Sequence, residues 1–445
     1  MPASWLLERM SQWRDQPAIA WRDRIESYGE LLDRVAAWQD RLEREGVKSG
    51  QVVALDGDYS PSACALLLAL IQRRAVVVPL TETARHNRAE WFDIAEVQAE
   101  ITIDEHDEPN VVRRQTSPRH ELTRGLLQQG RPGLILFTSG STGKSKAAIH
   151  DFAALLEKFR VKRHSYRAIS FLLLDHIGGI NTMFYALSNG GTVVAVESRQ
   201  PEDVCRAIEQ HRVQLLPTSP TFLNLLLISE AYRRFDLSSL TTVTYGTEPM
   251  PLSTLNRLHE ILPDVRLLQT YGLTEMGILR SKPKSSNSLW VKLGGEGVET
   301  KVVDGVLWIR SKTAMLGYLN HASPFDADGW LNTQDMVEVD GEHFRILGRR
   351  SEIINVGGQK VFPSEVESVL LQMEGVTDAT VYAEQNAITG QIVAARLNVD
   401  GSTTESQLKR EVRKFCKGKL DPYKVPIKVK LAEGAQFSGR FKKLR

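Results

Sequence analysis

The spacing of apolar and polar residues along this chain changes between a pattern typical of helices and a pattern typical of strands. Apolar residues recur at helical spacing over 31–42, and continuous apolar runs of strand length follow at 52–55 and 76–80, separated by an apolar helical stretch at 63–71. Strands that alternate with helices predict a doubly wound α/β sheet, whose ligands bind beyond the carboxyl ends of its strands.

The same alternation continues through the middle of the chain. It predicts strands at 193–196, 214–220 and 265–268 and a helix at 201–211, and residues 172–174 also have the composition of a strand. The segment 104–115 is charged and aperiodic, which predicts a surface connection.

A loop rich in glycine and hydroxyl residues follows the apolar run at 134–137. Glycine lets backbone amides approach an anion, while hydroxyl and lysine side chains add donors and charge. We interpret it as a phosphate cradle rather than a solvated linker, because the loop is short and bounded by a strand and an amphipathic segment. It is not a Walker loop, since Ser145 and Ala147 flank Lys146. The candidate residues are Thr138, Ser139, Gly140, Ser141, Thr142, Gly143 and Lys146.

This loop resembles the phosphate loop of the adenylate-forming superfamily: the acyl-CoA and aryl-CoA synthetases, peptide-synthetase adenylation domains and luciferases. Their pattern is Thr-Ser-Gly-Ser-Thr-Gly-x-Pro-Lys, and Ser145 stands here in place of the proline. The resemblance implies an α/β fold with a large N-terminal domain of doubly wound sheets and a small β region, residues 1–348. It also implies a small, mobile α+β C-terminal domain, residues 349–445.

A second motif follows in family order, Tyr271-Gly272-Leu273-Thr274-Glu275. By the resemblance, Tyr271 offers its aromatic face to adenine, Thr274 binds phosphate and Glu275 holds Mg²⁺. Gly272 belongs to the same nucleotide site.

Two further segments complete the implied nucleotide site. Residues 243–251 look like the family's adenine-side loop and contribute Gly246, Thr247 and Glu248, with Thr247 in place of a glycine. Asp335 is implied to accept hydrogen bonds from the ribose hydroxyls, next to Gln334, which also replaces a glycine.

Residues 172–179 resemble the synthetase segment in which a histidine or aromatic residue gates the acid pocket. The resemblance implies that His176 lines this pocket and that Gly178 and Gly179 leave room for the acid; a purely structural histidine is the alternative. Asp175 could serve as the amine-binding aspartate of amino-acid-activating enzymes, but the following His-Ile-Gly-Gly favours a plain carboxylic acid.

The C-terminal part carries the remaining motifs. By the resemblance, Arg349 reaches the ribose and phosphate, and Ser351 occupies the hinge position, where the family has Asp or Lys. Gly357 and Gly358 are implied to line the tunnel for the thiol acceptor.

The tail departs from the family pattern Ser-Gly-Lys-x-x-Arg. By spacing, Arg440 falls on the catalytic lysine and Lys443 on the arginine. That lysine bridges the substrate carboxylate and the α-phosphate, a role open to Arg440 or, after a small shift, to Lys442. A basic, solvated tail is the alternative.

Charge and cysteine content limit the classes of partner and of structural site that we expect. A net charge of +2 over 445 residues gives no electrostatic reason to expect nucleic acid or an anionic membrane. The three cysteines are far apart and predict neither a disulfide framework nor a zinc site. With no apolar leader or membrane-length stretch, we expect a cytoplasmic protein, and a homodimer is left open.

The sequence therefore predicts an AMP-forming acid–thiol ligase that uses ATP and Mg²⁺ to activate a carboxylic acid and then forms a thioester with coenzyme A. The predicted catalytic residues are Lys146, His176, Glu275, Arg349 and Arg440. One alternative is an adenylation enzyme that loads the phosphopantetheine of an acyl carrier protein. A second is a catalytically degenerate nucleotide-binding protein, suggested by Arg440 and Ser145.

Overall fold

A computed structural model describes residues 4–139, 144–438, 441, 443 and 444. The described strands form three sheets of seven strands and a C-terminal sheet of five. This arrangement confirms the predicted α/β fold class.

The α-helices are α1 (Ser4–Met10), α2 (Tyr28–Arg44), α3 (Pro61–Gln72), α4 (Arg88–Ala95), α5 (Glu121–Gln128), α6 (Phe152–Glu157), α7 (Ile177–Ser188), α8 (Pro201–His211), α9 (Pro220–Ser229), α10 (Leu252–Ile261), α11 (Pro363–Leu370) and α12 (Glu405–Cys416).

The strands are β1 (Pro17–Trp21), β2 (Arg24–Ser27), β3 (Val52–Asp56), β4 (Val76–Leu80), β5 (Ala99–Ile103), β6 (Pro109–Arg113), β7 (Gly133–Ser139), β8 (Ser145–Asp151), β9 (Arg167–Ile169), β10 (Thr192–Ala195), β11 (Leu215–Thr218), β12 (Thr242–Tyr245), β13 (Arg266–Gln269), β14 (Tyr271–Leu273), β15 (Gly277–Pro283), β16 (Trp290–Gly294), β17 (Val298–Val303), β18 (Val306–Ser311), β19 (Gly317–Tyr318), β20 (Leu331–Asp340), β21 (His343–Arg349), β22 (Ile354–Val356), β23 (Gln359–Val361), β24 (Val376–Asn386), β25 (Gly390–Val399) and β26 (Lys428–Leu431).

Two of the large sheets are mostly parallel. One has the order β13-β12-β11-β9-β10-β1-β2, with only β2 antiparallel to its neighbour. The other has the order β19-β8-β7-β4-β3-β5-β6, and its strands β7, β4, β3 and β5 are parallel. Strand β4 is buried along its whole length, which explains its unbroken apolar sequence: parallel strands are covered on both faces.

The third large sheet and the C-terminal sheet are mainly antiparallel. The third sheet has the order β14-β15-β16-β21-β20-β18-β17, and the C-terminal sheet has the order β23-β22-β25-β24 with β26 beside β25. Helices α11 and α12 contribute Val366, Leu370, Leu408 and Val412 to a separate core of the C-terminal sheet. The predicted boundary between residues 348 and 349 stays a prediction.

Two local predictions from the sequence are wrong. Residues 172–174 are not a strand: the strand β9 ends at Ile169, and the next carbonyls accept hydrogen bonds from elsewhere. The Phe171 carbonyl accepts from Arg199 at 2.6 Å, and the Leu172 carbonyl accepts from the Tyr59 hydroxyl at 3.2 Å.

Segment 104–115 is not simply a connection either. It contains the edge strand β6, which pairs antiparallel with β5. The pattern missed this strand because most of its residues are exposed and only main-chain pairing defines it.

Cys64, Cys205 and Cys416 are buried free thiols. Among the described helices, none is both long and apolar enough to cross a membrane.

His150 is a titratable group enclosed within the fold. It lies on β8 with no exposed surface, and its ring nitrogens make no hydrogen bond within the described residues. Burial lowers the pKa of His150 to about 4, an effect that the nearby backbone of Thr274 partly offsets.

We expect His150 to make the protein acid-sensitive. His150 binds a proton below about pH 6.5 in the unfolded chain but only near pH 4 in the folded chain. Its contribution to the free energy of unfolding is therefore fully present above pH 6.5 and is lost as the pH falls toward 4. Between pH 7 and pH 5 the loss is on the order of 2 kcal/mol. The difference between the melting temperatures at pH 7 and pH 5 should be smaller in His150→Leu than in the wild type. The exposed His106 provides the control, since His106→Leu should retain the wild-type difference.

Candidate functional site

Three adjoining cavities lie on the sheet that contains β11, β12 and β13. The central cavity has a volume of about 650 Å³, the side cavity about 110 Å³ and the inner cavity about 310 Å³. The central cavity begins where these parallel strands end, at Thr218, Gly246 and Thr270. This is the edge at which doubly wound sheets bind ligands.

The central cavity collects most of the residues predicted for phosphate and acid binding. They are Thr138, His176, Gly178, Gly246, Thr247, Gly272, Thr274, Glu275, Arg349 and Ser351. Lys443 and Leu444 from the C-terminal tail also line it, so the tail contributes to the same site.

The side cavity collects the residues predicted for the nucleoside. They are Gly246, Thr247, Glu248, Tyr271, Gly272, Asp335 and Arg349. Seven of its lining residues also line the central cavity, namely Gly246, Thr247, Thr270, Gly272, Leu273, Arg349 and Glu352, so the two spaces are continuous.

Asp335 joins the motifs of the side cavity. It is 6% exposed, accepts a hydrogen bond from the Tyr271 hydroxyl, and lies 3.3 Å from Nε of Arg349. Burial raises the pKa of Asp335, whereas Arg349 and the Tyr271 hydroxyl act in the opposite direction. One hydrogen-bond donor and one cation thus orient the carboxylate.

Glu275 is oriented through a residue that the sequence analysis did not assign to the site. Its Oε1 accepts a hydrogen bond from the hydroxyl of Tyr318 on β19. Nζ of Lys146 lies 5.4 Å from the centre of the Tyr318 ring, a cation–π distance. Tyr318 therefore connects the lysine of the phosphate loop to the predicted metal ligand. Pairing of β19 with β8, distant in sequence, creates this contact.

Glu248 has a structural role beside its place in the side cavity. It accepts hydrogen bonds from the backbone and hydroxyl of Thr221 in the first turn of α9, and from the backbone of Lys443 at 3.3 Å. Burial raises its pKa. Glu248 thus ties α9 to the C-terminal tail.

His176 is the N-cap residue of helix α7. Its Nδ1 accepts a hydrogen bond from the backbone of Gly178 at 3.0 Å, and the ring borders the central cavity. Gly179 does not line the cavity: a Cβ there would lie 2.0 Å from the Leu173 carbonyl oxygen and 2.6 Å from that of Leu172. Close packing on the preceding turn accounts for glycine at this position.

Two residues at family glycine positions keep a glycine-like backbone. Thr247 has φ +74° and Gln334 has φ +62°. Positive φ is unfavourable for a β-branched residue, so Thr247 holds backbone strain beside the cavity.

Some predicted residues are not brought to these cavities. Gly357 and Gly358 form the turn between β22 and β23 at positive φ and line none of the three. Gly140, Ser141, Thr142, Gly143, Arg440 and Lys442 lie outside the described residues, as does the side chain of Ser139.

The carboxylate available in the central cavity suits a metal ion that is also coordinated by a phosphate ligand. Within the described part of the chain, no group of three or more His, Cys, Asp and Glu side chains could hold a metal ion. Mg²⁺ commonly binds one or two carboxylates and completes its coordination with substrate phosphates and water. The single carboxylate of Glu275 fits that pattern.

Two family models match this chain. The model of the AMP-binding enzymes matches residues 6–319, and that of the AMP-binding enzyme C-terminal domain matches residues 365–438. The 4-coumarate–CoA ligase-like 2 of Arabidopsis thaliana is 30% identical over 71% of this chain and 60% of its own length. The 2-succinylbenzoate–CoA ligase of Bacillus pumilus is 29% identical over 95% of this chain and 92% of its own length.

Solved structures show the same fold. The anthranilate CoA ligase AuaEII in complex with anthranoyl-AMP has a TM-score of 0.83 at 19% identity, over 98% of this chain and 95% of that one. The o-succinylbenzoate CoA synthetase of Bacillus subtilis with its acyl-adenylate intermediate has a TM-score of 0.77 at 22% identity, over 99% and 96%.

The packing around Gly179 makes a stability prediction. Gly179→Ala should lower the free energy of unfolding by about 2 kcal/mol or more, because the new methyl group overlaps backbone rather than a flexible side chain. Gly125→Ala is the control: nothing lies within 4 Å of its Cβ position inside α5, and alanine favours helix by up to about 1 kcal/mol. An equal melting temperature for Gly179→Ala and the wild type would contradict this packing argument.

Proposed function

The chain belongs to the family of AMP-binding enzymes, and we propose that it is an AMP-forming ligase that activates a carboxylic acid with ATP and transfers the acyl group to coenzyme A. This is the function predicted from the sequence, and relatives named as CoA ligases support it. The observation that carries the proposal is the continuity of the side cavity, which contains Tyr271 and Asp335, with the central cavity, which contains Thr274, Glu275 and His176.

In the first step, a carboxylate oxygen of the acid forms a bond to the α-phosphorus of ATP, and the bond to pyrophosphate breaks. Two anions must approach each other, so the main task is positioning and charge stabilisation. Lys146 and Thr138 would bind phosphate oxygens beside the hydroxyl of Thr274. The loop residues 139–143 and Arg440, or Lys442 in its place, would add donors and charge.

The nucleoside would be held in the side cavity. Asp335 would accept hydrogen bonds from the ribose hydroxyls in its position between the Tyr271 hydroxyl and Arg349. Glycine at position 246 lets the chain pack closely on the strand end at Thr270, because a Cβ at this residue would lie 2.7 Å from the backbone oxygen of Thr270.

Glu275 would hold Mg²⁺. When bound, this ion neutralises charge on the phosphates of ATP. The hydrogen bond from Tyr318 orients the Glu275 carboxylate for that task.

In the second step, the thiol sulfur of coenzyme A bonds to the acyl carbon and AMP leaves. His176 would contact the acid at the N-terminus of α7. Rotation of residues 349–445 about Ser351 would bring Gly357 and Gly358 toward the thiol, as the resemblance implies. A carrier protein as acceptor is not favoured by any observation. The cytoplasmic location and the homodimer stay predictions.

Pyrophosphate release by the purified full chain tests the function. With ATP, Mg²⁺ and a panel of aryl, fatty and amino acids, we expect release with at least one acid class and formation of its thioester only when coenzyme A is present. Exchange of pyrophosphate into ATP without a CoA thioester would instead indicate a carrier protein. Nucleotide binding with no release for any acid would indicate the degenerate alternative.

Glu275→Gln tests the proposed metal ligand. Loss of the charge should reduce pyrophosphate release about 100-fold, with partial recovery at high Mg²⁺ concentration, because weakened metal binding can be overcome by mass action. Glu374→Gln removes an exposed glutamate far along the chain and should leave the rate unchanged. An unchanged Mg²⁺ dependence in Glu275→Gln would refute the assignment.

A further inference from the structure

The inner cavity runs along one face of the parallel sheet. Its floor is formed by alternate strand residues, which point to the same side of a sheet. They are Leu215 and Pro217 of β11, Thr242 and Thr244 of β12, and Arg266 and Leu268 of β13. Its other wall includes Asn181, Thr182 and Tyr185 of α7 and Asn189 directly after it.

This cavity continues the central cavity away from the reacting centre. The two share Asn181, Thr182, Pro217, Thr244, Thr270 and Ile278. From Thr270 to Arg266 along β13 the distance is about 13 Å at the rise of a strand. The nine helical steps from His176 to Tyr185 span a similar length, about 13 Å. An acid activated beside His176 can therefore extend along this groove.

The inner cavity is strongly cationic. Lys158, Arg163, Arg266 and Arg280 line it together with His164, and none of its lining residues is Asp or Glu. Arg266 donates to the Tyr166 hydroxyl and to Thr242, both neutral groups. Among the ion pairs between described residues, none joins any of these four cations to a carboxylate.

Lys158 is the innermost of these cations. Its Nζ donates to Oδ1 of Asn181 at 2.5 Å and to the carbonyl of Ile278 at 3.1 Å, residues that border both cavities. Burial lowers the pKa of Lys158 to about 7, and Arg163 and Arg280 contribute to the shift. A buried ammonium beside two guanidinium groups is costly without an anion. A ligand that supplied the negative charge would remove this cost.

We propose that the inner cavity binds a second anionic group of the acid substrate, so that the enzyme prefers carboxylic acids with another carboxylate at their far end. This inference rests on the proposed function and specifies its substrate class. Lys158 would bind the distal carboxylate, with Arg163, Arg266 and Arg280 around it, while Leu268 and Ile278 contact the spacer. An extended chain advances about 1.2 Å per bond, so a spacer of about six bonds reaches from His176 to Asn181, beside Nζ of Lys158, and one of roughly ten bonds reaches Arg266.

The test compares α,ω-dicarboxylic acids of roughly four to fourteen carbons with the monocarboxylic acids of equal length and with the monomethyl esters. Pyrophosphate release by the full chain should show kcat/KM at least tenfold higher for a diacid than for its matched monoacid and ester at the best length. Equal values at every length would overturn the proposal.

Lys158→Met tests the assigned cation, because it keeps the length of the side chain and removes the charge. The ratio of diacid to monoacid kcat/KM should fall at least tenfold. Lys162→Met is the matched control: Lys162 is exposed in the same segment and does not line the cavity, so the ratio should be unchanged. A parallel loss for both acids in Lys158→Met would show a structural role only.

Direct binding separates this proposal from the proposed function. If no acid supports pyrophosphate release, calorimetric titration of the best-fitting diacids into the wild type and Lys158→Met still decides the outcome. Binding that is at least tenfold tighter in the wild type would support the anion site without the ligase activity. Absence of diacid binding in both proteins would overturn the site.

Discussion

The site depends on two carboxylates, one buried and one half-buried, that accept hydrogen bonds from fixed hydroxyl groups. Asp335 accepts from Tyr271, and Glu275 accepts from Tyr318. A buried carboxylate without a donor would lose the hydration that stabilises its charge. Tyr271 and Asp335 come from distant strands of one sheet, whereas Tyr318 comes from a different sheet than the strands on either side of Glu275. These bonds therefore require that the sheets first assemble correctly. The chemistry of the cavity and the packing of the sheets are therefore coupled.

Strands β12 and β13 contribute to both the central cavity and the inner cavity. The residues after β12 and β13 border the nucleotide side, whereas alternate residues within those strands form the floor of the inner cavity. Nucleotide chemistry and acid selection can thus be changed separately, since they use different positions of one rigid sheet. Helix α7 reinforces this arrangement, because His176 is its N-cap residue and Tyr185 lies further along the groove.

The C-terminal tail links the smaller sheet to the main one. Phe441 packs against Phe171 and Phe222, and its carbonyl accepts a hydrogen bond from Ser219 at 2.9 Å. Nζ of Lys443 lies 3.3 Å from Asp378, while its backbone contacts Glu248. The position where the family has an arginine thus acts here as a bridge between the two parts of the chain. This conformation brings the tail to the central cavity.

The sequence alone determined the fold class, the order of the motifs and the family. The spacing of apolar residues indicates which segments are buried, and the residue types of each loop indicate which segments can bind an anion. Only the tertiary structure decided the roles of Tyr318 and Lys158, since each acts on a partner from a distant strand or helix. It also showed that Gly179 serves packing, and that residues 172–174 form no strand: the Leu172 carbonyl accepts a hydrogen bond from the Tyr59 hydroxyl and the Leu173 carbonyl accepts one from the His176 backbone. Such contacts depend on distances between segments, which a linear pattern does not contain.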